Sequence, residues 1–413
     1  VQTYVVGFNV GGSTTNYTSL AKAGGTTTPL FADNEKQLIE KLNSIIKQAV
    51  SLKSTFNTPA VMEEIKKGDF VYQSTFKYVS NGQWPGYLKK YKLNSDGSFG
   101  NEIWDASTKL NNKKSTKRNI WTTGLSTIST NNFTTTYRDM LSGLLFPNSS
   151  PTDDEIDDLI NFIRGIDTYD EDADNNTTEE RHKLNDIYHS QLRIVGPVDG
   201  STDDDNSSNF QKKDAYYRSV NKYDEFKNGT SCDRINIPAH VKCSERKEVL
   251  FAGSNGGMLH AFDTSDGEEL WAYIPANLLG KLSTIISNKA NETNSIYGVD
   301  GSPVVKDIYY DDTPNNNKDD PSWRTIVLTG LGAGGHGYFA LDITDVNSPK
   351  HLFTIENDPF NNKVKHWDSD DRYTTYSYVG GNIPAEFDYR ELGEAWSTPR
   401  IIRIKHNGKD KWV

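Results

Sequence analysis

The run Gly257-Met258-Leu259-His260-Ala261-Phe262-Asp263 predicts a β-strand led by glycine, and the turn Asp266-Gly267 joins it to a second strand that carries Trp271. The same order recurs twice. It occurs at Gly86-Tyr87-Leu88-Lys89-Lys90-Tyr91 with Asp96-Gly97 and Trp104, and at Gly337-Tyr338-Phe339-Ala340-Leu341-Asp342 with Asp345 and Leu352-Phe353. Three copies of one hairpin predict a repeat architecture.

A single hairpin of this kind cannot bury its hydrophobic face, whereas radial repetition leaves only short, protected edges, as in a β-propeller. From about Phe70 onward the chain consists of short strands, aromatic residues and Gly/Asn/Asp turns, which is typical of a mainly β fold. The irregular spacing of the copies indicates insertions in the loops. A β-sandwich is the alternative that this pattern leaves open.

One helical insertion interrupts the strands, and acidic segments follow it. Thr152 and Glu155 form a capping box after Pro151. The apolar face of the predicted helix consists of Ile156, Leu159, Ile160 and Ile163. The acidic, Asn-rich stretches 167–180 and 199–209 are expected to be exposed loops or disordered.

The first 50 residues predict a different, α/β structure. Strands are expected at 1–10 and 29–32, and a short helix at 17–23. A second helix is capped by Asn34, with Gln37 as its capping-box partner. Its apolar stripe is Leu38, Ile39, Leu42, Ile45, Ile46 and Val50. This unit is too short to fold alone, so we expect it to be the end of a larger parallel-sheet domain.

Composition excludes some classes of function. The formal net charge of the 413 residues is −11, which does not suit a nucleic-acid-binding protein. No stretch approaches the ~20 apolar residues that a membrane span requires, so no membrane insertion is expected. The chain opens at Val1 without a Met or a signal peptide and ends in a strand-like run, which predicts a fragment or a processed form.

Two cysteines, Cys232 and Cys243, flank a short segment that contains Pro238. Their number and spacing exclude a four-cysteine zinc site and a CxxC motif. The pattern suggests one disulfide and an oxidising compartment. Two free thiols in a cytosolic protein are the alternative.

Candidate metal chemistry is confined to one acidic run. Asp170, Asp172 and Asp174 alternate like the first half of an EF-hand loop, which requires Gly at its sixth position and Glu at its twelfth. Asn175 and Arg181 occupy those positions. A solvated acidic loop is therefore the favoured interpretation, and a weak calcium site is the alternative.

Other conspicuous residues are predicted to be structural. The glycine runs 253–257 and 330–337 match no phosphate-binding motif and are expected in turns. His260 is expected in the core, and no catalytic role is predicted for it or for His189-Ser190. Asp263, Asp300 and Asp342 are expected to form turns, and Trp271 and Trp396 to pack between blades.

Several longer runs resemble one family. They are Phe251–Asp263, Tyr297–Val305, Trp323–Asp342 and Trp396–Arg403, with Ile160–Gly165 and Asp186–Ser190 upstream. In this order they resemble the PilC/PilY family of type IV pilus tip proteins. Ala261, Asp263, Gly267 and Trp271 are similar to the tryptophan-docking motif of quinoprotein-type propellers, in which the tryptophan packs against the next blade. The start of the chain resembles the end of a von Willebrand A domain.

The resemblance implies that residues 1–55 form the last part of a von Willebrand A-like domain. It implies that residues 56–413 form PilY-type propeller blades, with the helical and acidic insertion around 150–210. The ring of blades is expected to be incomplete at Val413. It further implies a non-enzymatic protein at the pilus tip, extracellular and associated with the outer membrane. Such a protein opposes pilus retraction and supports twitching motility, host-cell adhesion and virulence. The implied partners are pilin or minor pilins and a host-cell receptor.

Some features of the family differ here. The Asp-x-Ser-x-Ser metal site of a von Willebrand A domain would lie before Val1, and the calcium loop of the family, which implies calcium in the full-length parent, would lie beyond Val413. The Arg-Gly-Asp motif of some members is replaced by Arg164-Gly165-Ile166-Asp167. No cofactor is assigned to this chain. A quinoprotein-like dehydrogenase and a general secreted binding module are the alternative functions.

Overall fold

The computed structural model of the chain describes residues 5–8, 10, 15–23, 26, 28–39, 41–42, 69–95, 97–125, 131–203, 214–230, 232, 241–310, 322–380, 383–406 and 408–413. It divides into two compact units, Val1–Phe56 and Asn57–Val413.

The first unit is a small α/β structure. Its elements are β1 (Val6–Phe8), α1 (Thr15–Ala23), β2 (Leu30–Ala32) and helix α2 (35–39 and 41–42), and β1 pairs with β2 in parallel. Asn34 Oδ1 accepts a hydrogen bond from the Gln37 amide at 3.0 Å, as predicted for the cap. Gln37 Oε1 accepts from the Asp33 amide, one residue earlier than a capping box requires. The predicted stripe residues 45, 46 and 50 lie outside the described residues.

The second unit is built from antiparallel sheets, three of which carry the repeated hairpins. Sheet I contains β3 (Phe70–Phe76), β4 (Gly86–Leu93) and β5 (Phe99–Asp105). Sheet II contains β7 (Arg193–Val195), β8 (Val249–Ser254), β9 (Met258–Asp263) and β10 (Glu269–Ile274), with β6 (Ile120–Thr122) parallel to β10. Sheet III contains β11 (Val304–Tyr310), β12 (Ser322–Gly330), β13 (Gly337–Asp342), β14 (Lys350–Asp358), β15 (Lys363–Trp367) and β16 (Tyr373–Ser377). A separate hairpin joins β17 (Arg403–His406) and β18 (Lys409–Trp412).

The three predicted hairpins are confirmed as β4–β5, β9–β10 and β13–β14, and they share two features. Each contains a register shift. The cross-strand pairs are Lys90 with Trp104, Ala261 with Trp271, and Ala340 with Phe353. An aromatic residue therefore occupies the same position in each copy. The mainly β fold predicted from the repeats is confirmed.

Two of these aromatic residues join neighbouring sheets. Trp104 in β5 donates from Nε1 to the carbonyl oxygen of Thr264, which follows β9 in sheet II, at 2.9 Å. Trp271 in β10 donates from Nε1 to the carbonyl oxygen of Val346, between β13 and β14 in sheet III, at 2.8 Å. Sheet I is thereby attached to sheet II, and sheet II to sheet III, by the same contact.

Helices lie between the strands of the second unit. They are α3 (Ala106–Asn112), α4 (Arg138–Leu145), α5 (Asp153–Arg164), α6 (Asp214–Val220), α7 (Tyr223–Asn228) and α8 (Leu279–Leu282). Helix α5 is the predicted insertion: Thr152 and Glu155 form the complete capping box, and the predicted apolar face is buried. Among the described residues, no helix is both long enough and apolar enough to cross a membrane.

A buried charged cluster lies beside the hairpin of sheet II. The Arg118 guanidinium donates to both carboxylate oxygens of Glu269 at 2.8 and 2.9 Å. His260, which is fully buried as predicted, contacts Glu269 through Nδ1 at 2.8 Å and Ser254 Oγ through Nε2 at 3.0 Å. Burial is the largest single influence and would raise the pKa of Glu269, but the charge of Arg118 and the hydrogen bonds from Arg118 and His260 together outweigh it and hold that pKa below its usual value. Burial also lowers the pKa of His260.

Candidate functional site

Five separated segments of the second unit meet at the end of the sheets where β8 turns into β9 and β12 turns into β13. They are residues 184–190, 253–257, 297–302, 330–337 and 394–396. Backbone hydrogen bonds connect them. The amide of Asn255 donates to the carbonyl oxygen of Asp186, and the amide of Asp300 donates to that of Leu331. The amide of Ala395 donates to the carbonyl oxygen of Gly335. We call these five segments the convergent face. Most of the runs that resemble the PilC/PilY family contribute to it.

The centre of the convergent face is a pair formed by His189 and Asp300. The Asp300 carboxylate is buried and accepts from the His189 amide at 3.1 Å. It also contacts the imidazole Nδ1 at 2.6 Å, while the His189 side chain remains 41% exposed. Because the carboxylate only accepts, Nδ1 carries the hydrogen, and Nε2 is the acceptor atom of the neutral imidazole. The prediction that Asp300 is a turn former is wrong, because it binds a residue 111 positions away.

A second buried carboxylate, Asp186, lies beside this pair. Asn255 Nδ2 donates to Asp186 Oδ2 at 2.6 Å, and Asn255 Oδ1 accepts from the Gly298 amide at 3.1 Å. Burial raises the pKa of Asp186 to about 7, and the negative charge of Asp300 acts in the same direction. Asp186 and Asn255 therefore connect the segments 184–190, 253–257 and 297–302. Ionisation of Asp186 in this buried position is unfavourable.

Glycine allows the segments to approach this closely. A Cβ on Gly334 would overlap the carbonyl oxygen of Gly298, and a Cβ on Gly298 would lie 2.5 Å from the amide nitrogen of Gly257. Real Cβ atoms are essentially never that close to another atom. The interpretation of the glycine runs as sites of turns and close backbone approach is confirmed.

Aromatic rings surround His189. Its ring centroid lies 4.3 Å from that of Tyr188, 5.1 Å from that of Trp396 and 6.4 Å from that of Tyr297. Tyr297 is 46% exposed and Trp396 is 53% exposed. The prediction that Trp396 packs between blades is therefore wrong: its loop returns to this end of the sheets and leaves the indole at the surface.

The predicted blade motif lies elsewhere and is structural. Trp271 is buried against sheet III, and Asp263 Oδ1 accepts from the Ser265 amide at 2.9 Å, forming the predicted turn. Gly267 has a φ of +79°, and a Cβ on it would lie 2.8 Å from Cδ2 of Trp104. Ala261, opposite Trp271 across the hairpin, is fully buried. The repeat register also identifies Trp104 as a docking residue, which the sequence interpretation had not assigned.

The two cysteines are joined in the structure. Cys232 and Cys243 form a disulfide with a Cα–Cα distance of 5.0 Å. Both are buried in a cluster with Tyr223, Phe226 and Trp323. The disulfide therefore connects the segment after α7 to the core beside β12, away from the convergent face.

The acidic run 170–174 combines features for and against a calcium loop. The Asn175 amide donates to Asp170 Oδ1 at 3.0 Å, and Asn175 has the positive φ that glycine usually supplies. However, Arg181, at the twelfth position, pairs with Glu171, and Asn291 donates its amide group to Asp170 Oδ2. The loop is also less solvated than predicted, since Asp170 is buried. The residues present thus fit a calcium ion only in part.

Comparison with known proteins shows which proteins this chain resembles. Residues 235–409 match the family described as the PilY1 beta-propeller domain. The chain is 27% identical over 340 residues to the type IV pilus biogenesis factor PilY1 of Pseudomonas aeruginosa strain UCBPP-PA14, covering 79% of this chain and 26% of that protein. Over most of its length the chain is therefore similar to PilY1 proteins.

Two further similarities involve PilY1 proteins. A Xylella fastidiosa protein named as a PilY1 homologue is 36% identical over 110 residues, covering 27% of this chain and 8% of its own length. The crystal structure of the P. aeruginosa PilY1 C-terminal domain matches 40% of this chain and 24% of its own length, at 30% identity and a TM-score of 0.25. The chain spans about a quarter of the length of its Pseudomonas relatives.

Proposed function

We propose that the chain is a binding and assembly module of a protein that supports type IV pilus biogenesis, and that it is not an enzyme. The parent protein acts at the pilus tip by opposing retraction, and it supports twitching motility, adhesion to host cells and virulence. The names of the relatives, type IV pilus biogenesis factors, support the role in pilus biogenesis. The resemblance described above supports the finer roles.

The observation that carries this proposal is the convergent face. Five segments from different parts of the chain are fixed at one end of the sheets by buried polar contacts, while Trp396, Tyr297 and His189 remain exposed. Loops held on a rigid scaffold are a common place for binding. Exposed tryptophan and tyrosine are frequent at the centres of protein interfaces. The arrangement therefore suits recognition of a partner.

The partners proposed are pilin or minor pilins at the pilus tip and a host-cell receptor. The protein is placed outside the cell, in association with the outer membrane. The net charge of −11 argues against nucleic acid as a partner. Calcium is proposed for the full-length parent, as the resemblance implies. It is not assigned to loop 170–174, because the residues of that loop fit a calcium ion only in part.

The domain organisation is also part of the proposal. Residues 1–55 are assigned to the end of a von Willebrand A-like domain and residues 56–413 to PilY-type blades. Large apolar side chains of the first unit support this assignment, because Phe8, Leu20, Ile39 and Leu42 are 43–63% exposed. The remainder of a larger α/β domain would cover such residues.

Deletion of the parent gene in a piliated host tests the proposal. Surface pili are counted with the retraction motor present and again after its removal. We expect pili to be lost in the first background and restored in the second, because the protein opposes retraction. Unchanged piliation and motility would contradict the pilus role and favour a general secreted binding module.

A further inference from the structure

The convergent face offers exposed hydrogen-bond acceptors, and the N–H donors of His189 Nδ1 and Trp396 are already used within the chain. His189 Nδ1 is bound to Asp300, and Trp396 Nε1 donates to Glu394 Oε2 at 2.7 Å. The nearby ammonium group of Lys281 donates to the Gly334 carbonyl oxygen at 2.7 Å. The donors of His189 Nδ1 and Trp396 Nε1 can bind a ligand only by giving up an internal partner, whereas Lys281 uses one of its three N–H groups in this bond.

Three kinds of acceptor remain exposed. The first is His189 Nε2, for which no hydrogen bond is formed within the described part of the chain. The second is the carboxylate of Glu394, an exposed residue beside the indole. The third is the set of π faces of Trp396 and Tyr297, which attract cations. A ligand that matches all three is a cation that donates hydrogen bonds and accepts none.

We propose that the convergent face binds a lysine or arginine side chain of a protein partner, between the rings of Trp396 and Tyr297 and beside Glu394. Lysine and arginine have several donors and no acceptor, and both bind aromatic faces. This inference rests on the proposed function, since it names the chemistry by which the same face recognises its partner.

Charge complementarity favours this occupant over a neutral apolar one. The carboxylates of Glu394 and Asp300 bring negative charge to this end of the sheets, near the ammonium group of Lys281. Burial lowers the pKa of Lys281, and the negative charges of Glu394 and Asp300 oppose that effect. The chain as a whole is acidic, with a net charge of −11, so a basic partner is attracted from a distance.

The inference is tested by titrating the purified 413-residue chain with three short peptides that differ at one side chain: lysine, Nε-acetyl-lysine and norleucine. The signal of Trp396 is followed by 19F NMR in protein labelled with 5-fluorotryptophan and is assigned with Trp396→Phe. We expect a saturable shift with the lysine peptide and about tenfold weaker binding of the two uncharged peptides. Equal binding of the norleucine peptide would overturn the proposal, as would the absence of any shift.

Variants show where the peptide binds. Glu394→Gln and Tyr297→Ala should each weaken lysine-peptide binding about fivefold or more, since each removes one of the groups that attract the cation. Tyr373→Ala is the matched control, because Tyr373 is 51% exposed on β16 and lies outside the convergent face. Binding that is unchanged in the first two variants, or equally reduced in the control, would contradict the proposal. Tighter binding of phosphocholine than of the lysine peptide would overturn the assignment to a protein partner.

Failure of the cation site and failure of the proposed pilus role give different outcomes in the peptide titration and the gene deletion. If deletion of the parent gene removes pili but the chain does not bind the lysine peptide, the cation site fails and the pilus role stands. If the peptide binds as expected but deletion leaves piliation unchanged, the cation site stands and the pilus role fails.

Discussion

The indole nitrogen of Trp271 lies 2.8 Å from the carbonyl oxygen of Val346, and this hydrogen bond fastens the hairpin of sheet II to the turn between β13 and β14 of sheet III. Trp104 makes the equivalent bond to Thr264 one sheet earlier. The scaffold under the convergent face is therefore held by a repeated contact between neighbouring sheets. Its strength can be measured without reference to any ligand.

Replacement of Trp271 by Ala should lower the free energy of unfolding by about 3–5 kcal/mol, because it empties a large buried site. Trp271→Phe retains most of the ring but leaves the Val346 carbonyl without its donor, and should cost about 1–3 kcal/mol. Trp396→Ala is the control, since the exposed indole should contribute less than about 1 kcal/mol. Urea unfolding measures all three. A loss below about 1 kcal/mol for Trp271→Ala would contradict its role between the sheets.

Alanine replacements at Gly267 and Gly97 distinguish the cost of backbone strain from the cost of a steric clash between neighbouring sheets. Both have positive φ, +79° and +83°, but a Cβ on Gly267 would collide with Trp104, whereas a Cβ on Gly97 would meet no atom within 4 Å. Gly97→Ala should cost about 1–2 kcal/mol for the backbone alone. Gly267→Ala should cost about 1–3 kcal/mol more.

The excess cost of Gly267→Ala should disappear in a Trp104→Ala background, because the side chain with which the new Cβ collides is then absent. Urea unfolding of the two single variants and the double variant measures this coupling. Equal costs of the two glycine replacements in the wild-type background would show that Trp104 does not press on Gly267.

Asp186 makes stability depend on pH. Its pKa is raised from 3.8 to about 7 by burial, so the folded protein holds this proton more tightly than the unfolded chain does. The contribution of Asp186 to stability therefore falls as pH rises from about 4 to 7. Asp186→Asn cannot ionise. When the pH is raised from about 5 to about 8, the free energy of unfolding of Asp186→Asn should fall by about 2–3 kcal/mol less than that of the wild type.

Urea unfolding at the two pH values checks this expectation, with Asp203→Asn, at an exposed position, as the control. Glu356, whose pKa burial also raises to about 7, is present in every one of these proteins and cancels in the comparison. An identical pH dependence of the wild type and Asp186→Asn would contradict the buried position of this carboxyl group.

The disulfide between Cys232 and Cys243 closes a short loop and should stabilise the second unit by about 2–3 kcal/mol through the entropy of the unfolded chain. The Cys232→Ser/Cys243→Ser double variant should lose this amount in thermal or urea unfolding. Adding dithiothreitol to the wild type should reproduce the loss and should leave the double variant unchanged. Equal stability with and without reductant in the wild type would argue against a contribution from the bond.

Local patterns were sufficient to predict much of the scaffold. The hairpins were identified from strand length, turn residues and aromatic spacing, and α5 from its capping box and apolar face. These signals lie within about ten residues of one another, where local backbone preferences dominate. Trp104 could have been assigned in the same way, because it occupies the position of Trp271 in the repeat.

The convergent face could not be predicted from such patterns. His189 and Asp300 are 111 residues apart and meet only because neighbouring sheets bring their loops to one end of the scaffold. Trp396 resembles a packing residue in sequence, yet it is exposed because its loop returns toward Gly335. The exposure of a side chain at such a position depends on tertiary structure, which no single run of residues specifies.

We propose that the convergent face is the surface through which this chain supports type IV pilus biogenesis. It is tested most directly by counting surface pili on cells whose parent gene carries Trp396→Ala together with Glu394→Gln, against cells that carry Tyr373→Ala, at matched protein levels. We predict few pili in the first strain, recovery when the retraction motor is also removed, and normal piliation in the second strain. Normal piliation in both strains would contradict the claim.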